Sequence, residues 1–186
     1  MSLQIERVNY RRILRWEMWG ILFIVLFGAL LHFTFELSGG WLPLGVISAV
    51  NESVWEHLKL AFYPSLFFTL IEYFFLFRPG KPISGFLLAR ALGTLLMPII
   101  IVAIFYSYTS FTRESILSVD LSSFVIAIAA GQFVSYLLLR KLAFPAWADL
   151  IGLCIFSAGI LLFAIFTFYP PYLGIFQDPE SGQYGI

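Results

Sequence analysis

Both histidines of this chain stand beside carboxylates, and their spacing is one that chemistry could use. In His32-Phe33-Thr34-Phe35-Glu36, a histidine and a glutamate are four residues apart and so share a helical face. Residues 51–59, Asn-Glu-Ser-Val-Trp-Glu-His-Leu-Lys, put two more carboxylates, the second histidine, a serine and a lysine into nine positions. If the two segments end and begin antiparallel neighbouring helices, meeting a surface near residues 37 and 52, Glu36 is level with Glu52 and Ser53. His32, about 6 Å deeper at 1.5 Å per residue, is then level with Glu56 and His57. One thin layer would hold both imidazoles and three glutamates.

Three readings of that layer stay open. A divalent metal (zinc, manganese or iron) would draw its ligands from His32, Glu36, Glu52, Glu56 and His57. A metal-free acid/base site would pair a histidine with a glutamate to activate water or the Ser53 hydroxyl, which makes Glu56, His57 and Ser53 the catalytic candidates. A purely structural network is the third reading. Ser53 and Glu56 fit a capping box, the positive end of a helix favours Glu52 and Glu56, and Lys59 can snorkel outwards. That last account leaves His57 unexplained, along with the stripe formed by Glu52, Glu56 and Lys59.

The elements that must position these residues follow from composition. Of 186 residues, 60% are apolar and only 12% charged, with a mean hydropathy of +0.90. A soluble domain carries roughly a quarter charged residues. The formal charge is zero, so no basic face awaits a nucleic acid. Cys154 is the single cysteine, set in an apolar run, which rules out an intramolecular disulfide and predicts a buried structural thiol. Five runs reach the ~20 residues needed to cross a bilayer. They lie near 16–37, 53–77, 84–108, 118–139 and 147–169. Only helices satisfy the backbone in lipid when no strand-like alternation is present. The expectation is an all-α polytopic bundle, one membrane domain over 1–186, multi-pass in the cell membrane with the lipid bilayer as its solvent. The first run is read as a retained helix rather than a cleaved signal, since no small-residue cleavage site follows it and His32 and Glu36 lie within it.

Basic residues orient the bundle. Arg7, Arg11, Arg12, Arg15, Arg78, Lys81, Arg140 and Lys141 fall on one side, against Arg113 and Lys59 on the other. This places the N-terminus in the cytoplasm and the tail 170–186 outside. The His/Glu layer then faces outward. Trp16, Trp19, Trp41, Trp55 and Trp147 sit at run ends, as interfacial rings should.

A second polar layer belongs to the inner half. Glu72 and Arg90 are expected to pair there, with Gln132 and Asp149 at similar depth. A small transporter or channel would capture cations on the outer acids and use Glu72, Arg90 and Gln132 as its inner passage. Gly85, Ala89 and Gly93 form a small-residue ladder on which a homodimer could close. Pro64 and Pro98 interrupt the hydrogen bonding of two helices. The apolar loop 38–50 is expected to lie in the interface as filler, the alternative being a dip back towards the site as a lid, with a short helix over 44–50. The tail starts apolar, turns at Asp178–Gly182 and emerges on the same side as the histidine layer, which leaves open whether it folds across that layer or not.

The motifs at 51–59 and 170–185, the latter Pro-Pro-Tyr-Leu-Gly-Ile-Phe-Gln-Asp-Pro-Glu-Ser-Gly-Gln-Tyr-Gly, carry a resemblance. With them the chain resembles a group of small prokaryotic multi-helix membrane proteins catalogued as a domain of unknown function. The likeness implies a membrane fold over nearly the whole chain and brings no activity with it. In chemistry alone the layer is similar to membrane hydrolases of the alkaline ceramidase and progestin-receptor type, which hold zinc on three histidines. This chain departs from them in having two histidines and five helices instead of seven. The functions weighed are metal-assisted hydrolysis of a lipid or membrane-proximal substrate, transport, and a structural or assembly role.

Overall fold

The computed structural model describes residues 10–76, 83–145 and 147–186 of the chain. Six α-helices and no strand element are found among them: α1 (Tyr10–Leu37), α2 (Leu42–Gly45), α3 (Val54–Leu76), α4 (Phe86–Thr112), α5 (Leu117–Lys141) and α6 (Ala148–Phe168). A 3-10 turn at Gly174–Phe176 follows. All but α2 are long and apolar enough to cross a membrane, which gives five candidate spans. The first run extends to Tyr10, and the short helix expected over 44–50 is instead the single turn Leu42–Gly45. Helices α3 and α4 run unbroken through Pro64 and Pro98. Arg7, Arg78 and Lys81 of the orientation argument, and Phe77 at the expected end of the second run, lie outside the described residues.

Helix α4 is the hub, touching α3, α5 and α6, while α1 packs on α3 and α5. Large apolar side chains cannot drive helices together in a lipid-like solvent, so close approach at small residues must do it. Gly93 and Gly131 meet reciprocally across α4 and α5: a Cβ on either would stand 2.5 Å from the other's carbonyl oxygen. A Cβ on Gly152 would meet the Leu87–Leu88 backbone at 2.4 Å, and one on Gly28 the Leu60 carbonyl at 2.4 Å. Those two contacts bring α6 to α4 and α1 to α3.

The ladder of Gly85, Ala89 and Gly93 is therefore spent within the chain. Gly85 abuts Phe144, the Ala89 carbonyl accepts a hydrogen bond from Ser135 Oγ (2.9 Å), and Gly93 lies on Gly131. The face that suggested a homodimer is covered by the chain's own α5 and the segment after it. Cys154 also departs from expectation, being exposed. The buried stripe of α6 runs through Ala148, Gly152, Phe156, Gly159, Phe163 and Thr167, and Cys154 falls between its steps on the outward face.

Replacing Gly93 with valine inserts a branched side chain where backbone already stands. Thermal unfolding in detergent should show a loss of about 1–3 kcal/mol, the usual cost of overpacking.

Candidate metal centre

Three elements converge at one end of the bundle. Helix α1 brings His32 one turn before its close, α3 brings His57 in its first turn, and the turn preceding α3 brings Glu52. His57 Nδ1 lies 2.9 Å from the Ser53 carbonyl oxygen. A carbonyl can only accept, so Nδ1 carries the proton and the Nε2 lone pair of the neutral ring looks out of the helix. There it finds His32 Nε2 at 3.1 Å and Glu52 Oε2 at 3.4 Å. His32 Nε2 is 3.8 Å from the same carboxylate oxygen.

Those three edges close a small triangle of donor atoms. Zinc at 2.0–2.1 Å from tetrahedral ligands separates neighbouring donors by roughly 3.3 Å. The observed edges bracket that value, and His32, Glu52 and His57 form a group able to hold a metal ion. A backbone carbonyl fixing the far nitrogen of a histidine is also how metal-binding imidazoles are ordinarily oriented. All three side chains stay partly open, at 26% for His32, 34% for His57 and 42% for Glu52. The Glu52 carboxyl is held below its usual range first by the His57 ring at 3.4 Å, which donates from Nε2 when it carries protons on both nitrogens; partial burial opposes this, and the charge of both imidazoles, when they are protonated, adds to it.

The tail braces this corner from outside. Phe176 packs on the Trp55 ring with centroids 4.8 Å apart. Asn51 Nδ2 donates to the Gly185 carbonyl at 3.0 Å, and the Ile186 N–H donates to Thr167 at 3.3 Å. Asp178 is pushed up by burial but accepts from the Ser181 hydroxyl and from the Glu180, Ser181 and Glu52 backbone N–H groups, and the net shift is downward.

The other predicted site residues lie elsewhere. Glu36 is exposed in the last turn of α1 and stands outside the group. Ser53 is buried, with its oxygen accepting the Glu56 N–H at 3.3 Å as an N-cap. The second half of the capping box is absent, because the Ser53 N–H goes to Asn51 Oδ1 at 2.9 Å. Glu56 points inward and accepts from Lys59 Nζ at 2.5 Å, the Val50 N–H at 3.1 Å and Thr167 Oγ1 at 3.4 Å. Lys59 does not snorkel: it is fully buried and also donates to the Gly45 and Ser48 carbonyls at 2.7 and 3.3 Å. The expected layer of imidazoles and glutamates is thus two clusters, an open His32/Glu52/His57 group and a closed Glu56–Lys59 pair.

At the opposite end Arg90 Nη2 donates to Glu72 Oε1 at 2.7 Å. Its Nη1 donates to Glu17, a partner that the sequence reading missed. The signal was available: α1 buries Ile13, Glu17, Gly20, Ile24, Gly28 and Leu31, so Glu17 sits squarely on the apolar stripe. Gln132 is buried against Gly20. Asp149 accepts the backbone N–H groups of Gly85 and Leu87 at 3.0 and 2.8 Å, which caps the start of α4 from α6.

Fold and site together define a helical protein of five membrane-length helices with a two-histidine, one-carboxylate group at one end. The chain belongs to DUF6512, a family of unknown function whose model matches residues 5–186. No curated protein and no solved structure matches it.

Removing one member of the buried pair strands the other. Lys59→Met should destabilise the protein by about 3–5 kcal/mol. Adding Glu56→Gln should recover much of that loss in the same detergent melts, so that the double substitution costs less than the sum of the two single ones.

Proposed function

We propose that His32, Glu52 and His57 bind one divalent metal ion and that the protein is a metal-dependent hydrolase acting at a membrane surface. The observation that carries this is the donor triangle of 3.1, 3.4 and 3.8 Å, with the His57 lone pair aimed into it by the Ser53 carbonyl. Three protein ligands leave a coordination position for water, as catalytic rather than structural zinc sites do. A bound water whose pKa falls to ~7 supplies hydroxide near neutrality. That hydroxide would add to the acyl carbon or phosphorus of an ester, and the ester bond would break with the water's proton passing to the departing oxygen. Glu56 is locked onto Lys59, so the proton carrier in this scheme is Glu36, exposed one turn beyond His32 on the same face.

The surroundings favour a lipid or another membrane-proximal ester. Phe33, Leu37, Trp41 and Leu42 flank this corner and are 56, 81, 60 and 51% exposed. The His32 ring rests on Phe33 at 4.8 Å between centroids. Amphipathic and apolar side chains of this kind suit the headgroup zone of a bilayer. Arg11, Arg12, Arg15, Arg140 and Lys141 belong to the start of α1 and the end of α5, away from the histidines. This supports the histidine end as the outward one.

Elemental analysis of detergent-purified protein should give about one zinc, manganese or iron per chain. His32→Ala and His57→Ala should each abolish it, while Glu36→Gln should keep the metal and lose ester hydrolysis. Protein that stays metal-free after exposure to all three ions, or unchanged occupancy in both histidine variants, would end the proposal. Occupancy should also fall between about pH 7 and pH 5, because imidazoles must be neutral to bind and ordinarily titrate near 6.5. Glu52, held below the usual carboxylate range, stays ionised through that window.

A further inference from the structure

The Arg90 layer carries more charge than the ion pairing accounts for. From α1 comes Glu17, from α3 Glu72 and from α4 Arg90, exposed by only 2, 0 and 2%. Helix α5 faces them with uncharged Gln132. The charge that α6 supplies at this end, Asp149, is spent on the backbone N–H groups of Gly85 and Leu87. Near the end of α3, Arg12 donates to the Phe75 carbonyl at 3.0 Å. Two carboxylates on one guanidinium leave a net charge of −1 if both are ionised. A bare charge in such surroundings is costly, and two adjacent carboxylates there cannot both ionise freely.

The hydrogen bonding shows where relief is available. Arg90 engages one oxygen of each carboxylate, Glu17 Oε1 and Glu72 Oε1. The second oxygens, Glu17 Oε2 and Glu72 Oε2, are buried and accept no hydrogen bond among the described residues. Arg90 Nε and Gln132 Nε2 are likewise buried donors with no acceptor among them. A metal cation would have to sit beside a guanidinium and these unpaired N–H groups, which repel it. A proton meets no such objection, since it adds directly to a carboxylate oxygen.

We propose that Glu17 and Glu72 share one acid proton on their free oxygens, which makes the Arg90 layer a proton-binding site inside the bundle. With the proton, the layer is neutral: one guanidinium, one carboxylate, one carboxylic acid. Without it, like charges on α1 and α3 face each other across Arg90. The proton belongs to the pair and not to either residue. Glu17→Gln or Glu72→Gln should therefore have the same effect, because either one leaves a neutral Arg–Glu pair with no need of an acid.

Infrared difference spectroscopy on the full chain in detergent or nanodiscs reads this directly. A neutral carboxylic acid has a carbonyl stretch above the amide band, which carboxylates lack and which shifts in heavy water. At neutral pH the wild type should show one acid equivalent more than Glu17→Gln and one more than Glu72→Gln. Melting temperatures of the isosteric variants confirm that they are folded. The wild-type spectrum alone supplies a second measurement, in which the acid band should persist at a pH where exposed carboxyls are ionised and vanish on further alkalinisation. An acid band that survives either substitution undiminished, or a wild type with no acid band, overturns the shared proton.

Discussion

The geometry of the histidine corner depends on one buried ammonium group. Lys59 Nζ has no access to solvent and must find acceptors within the protein, and it takes the Gly45 and Ser48 carbonyls and Glu56. A buried charge is tolerated only when paired and fully hydrogen-bonded, so this group dictates the path of the segment around it. The carbonyls of 45 and 48 belong to the apolar link between α1 and α3, which is thereby drawn over the start of α3. Glu56, pulled inward, then captures the Val50 N–H and touches Thr167 of α6. With residues 45–59 tied down from behind, Glu52 and His57 are left on the front of the same turn, facing His32.

The histidine group is thus the outer half of a two-sided turn. On the inner side every charged atom is partnered and sealed. On the outer side three donor atoms converge while their side chains remain between about a quarter and two fifths exposed. The histidine group thus has rigid support from within and an open face without. The tail contributes to the same end, since Phe176 on Trp55 and Gly185 on Asn51 hold the first turn of α3 from its exposed side.

How much of this was legible in the sequence depended on whether the signal was local. The five long helices could be read because hydrophobic length is a property of each segment alone. The convergence of His32 and His57 came from a depth argument along two antiparallel helices, and depth needs only the rise per residue. What depth does not give is rotation about the helix axis. Glu56 and His57 are adjacent in sequence and equal in depth, yet about 100° of helical rotation sends one to Lys59 and the other to His32. The same ambiguity misassigned Lys59, which is as close to the end of α3 as a snorkelling lysine would be. Glu17 was missed because it lies near the arginine-rich start of α1, where an acidic residue passes for surface. Only its place on the Ile13–Gly20–Ile24 stripe marks it as interior. Asp149, an intramembrane acid by its place in the sequence, caps a neighbouring helix, a role that exists only once α6 is laid against α4.

The two ends of the bundle meet the same cost by opposite means. At the histidine end the polar groups are split: the lysine and its glutamate neutralise each other in the interior, and the remaining carboxylate sits where water reaches it and both imidazoles support its charge. The Nδ1 proton of His57 is held by the Ser53 carbonyl, which leaves the Nε2 lone pair for a ligand when the ring is neutral. At the arginine end three ionisable groups are wholly interior and odd in number, so full ionisation cannot bring the layer to neutrality. An exposed layer could recruit a counter-ion from solvent. Glu17, Glu72 and Arg90 are sealed by Gln132, Gly20 and the surrounding helices, and protonation is the one adjustment that needs neither space nor a path for a larger ion. The stripe that buries Glu17 in α1 continues through Gly28, the close contact to α3, up to Leu31 beside His32. The same helical face that sets the depth of the histidine therefore also commits a carboxylate to the interior four turns away.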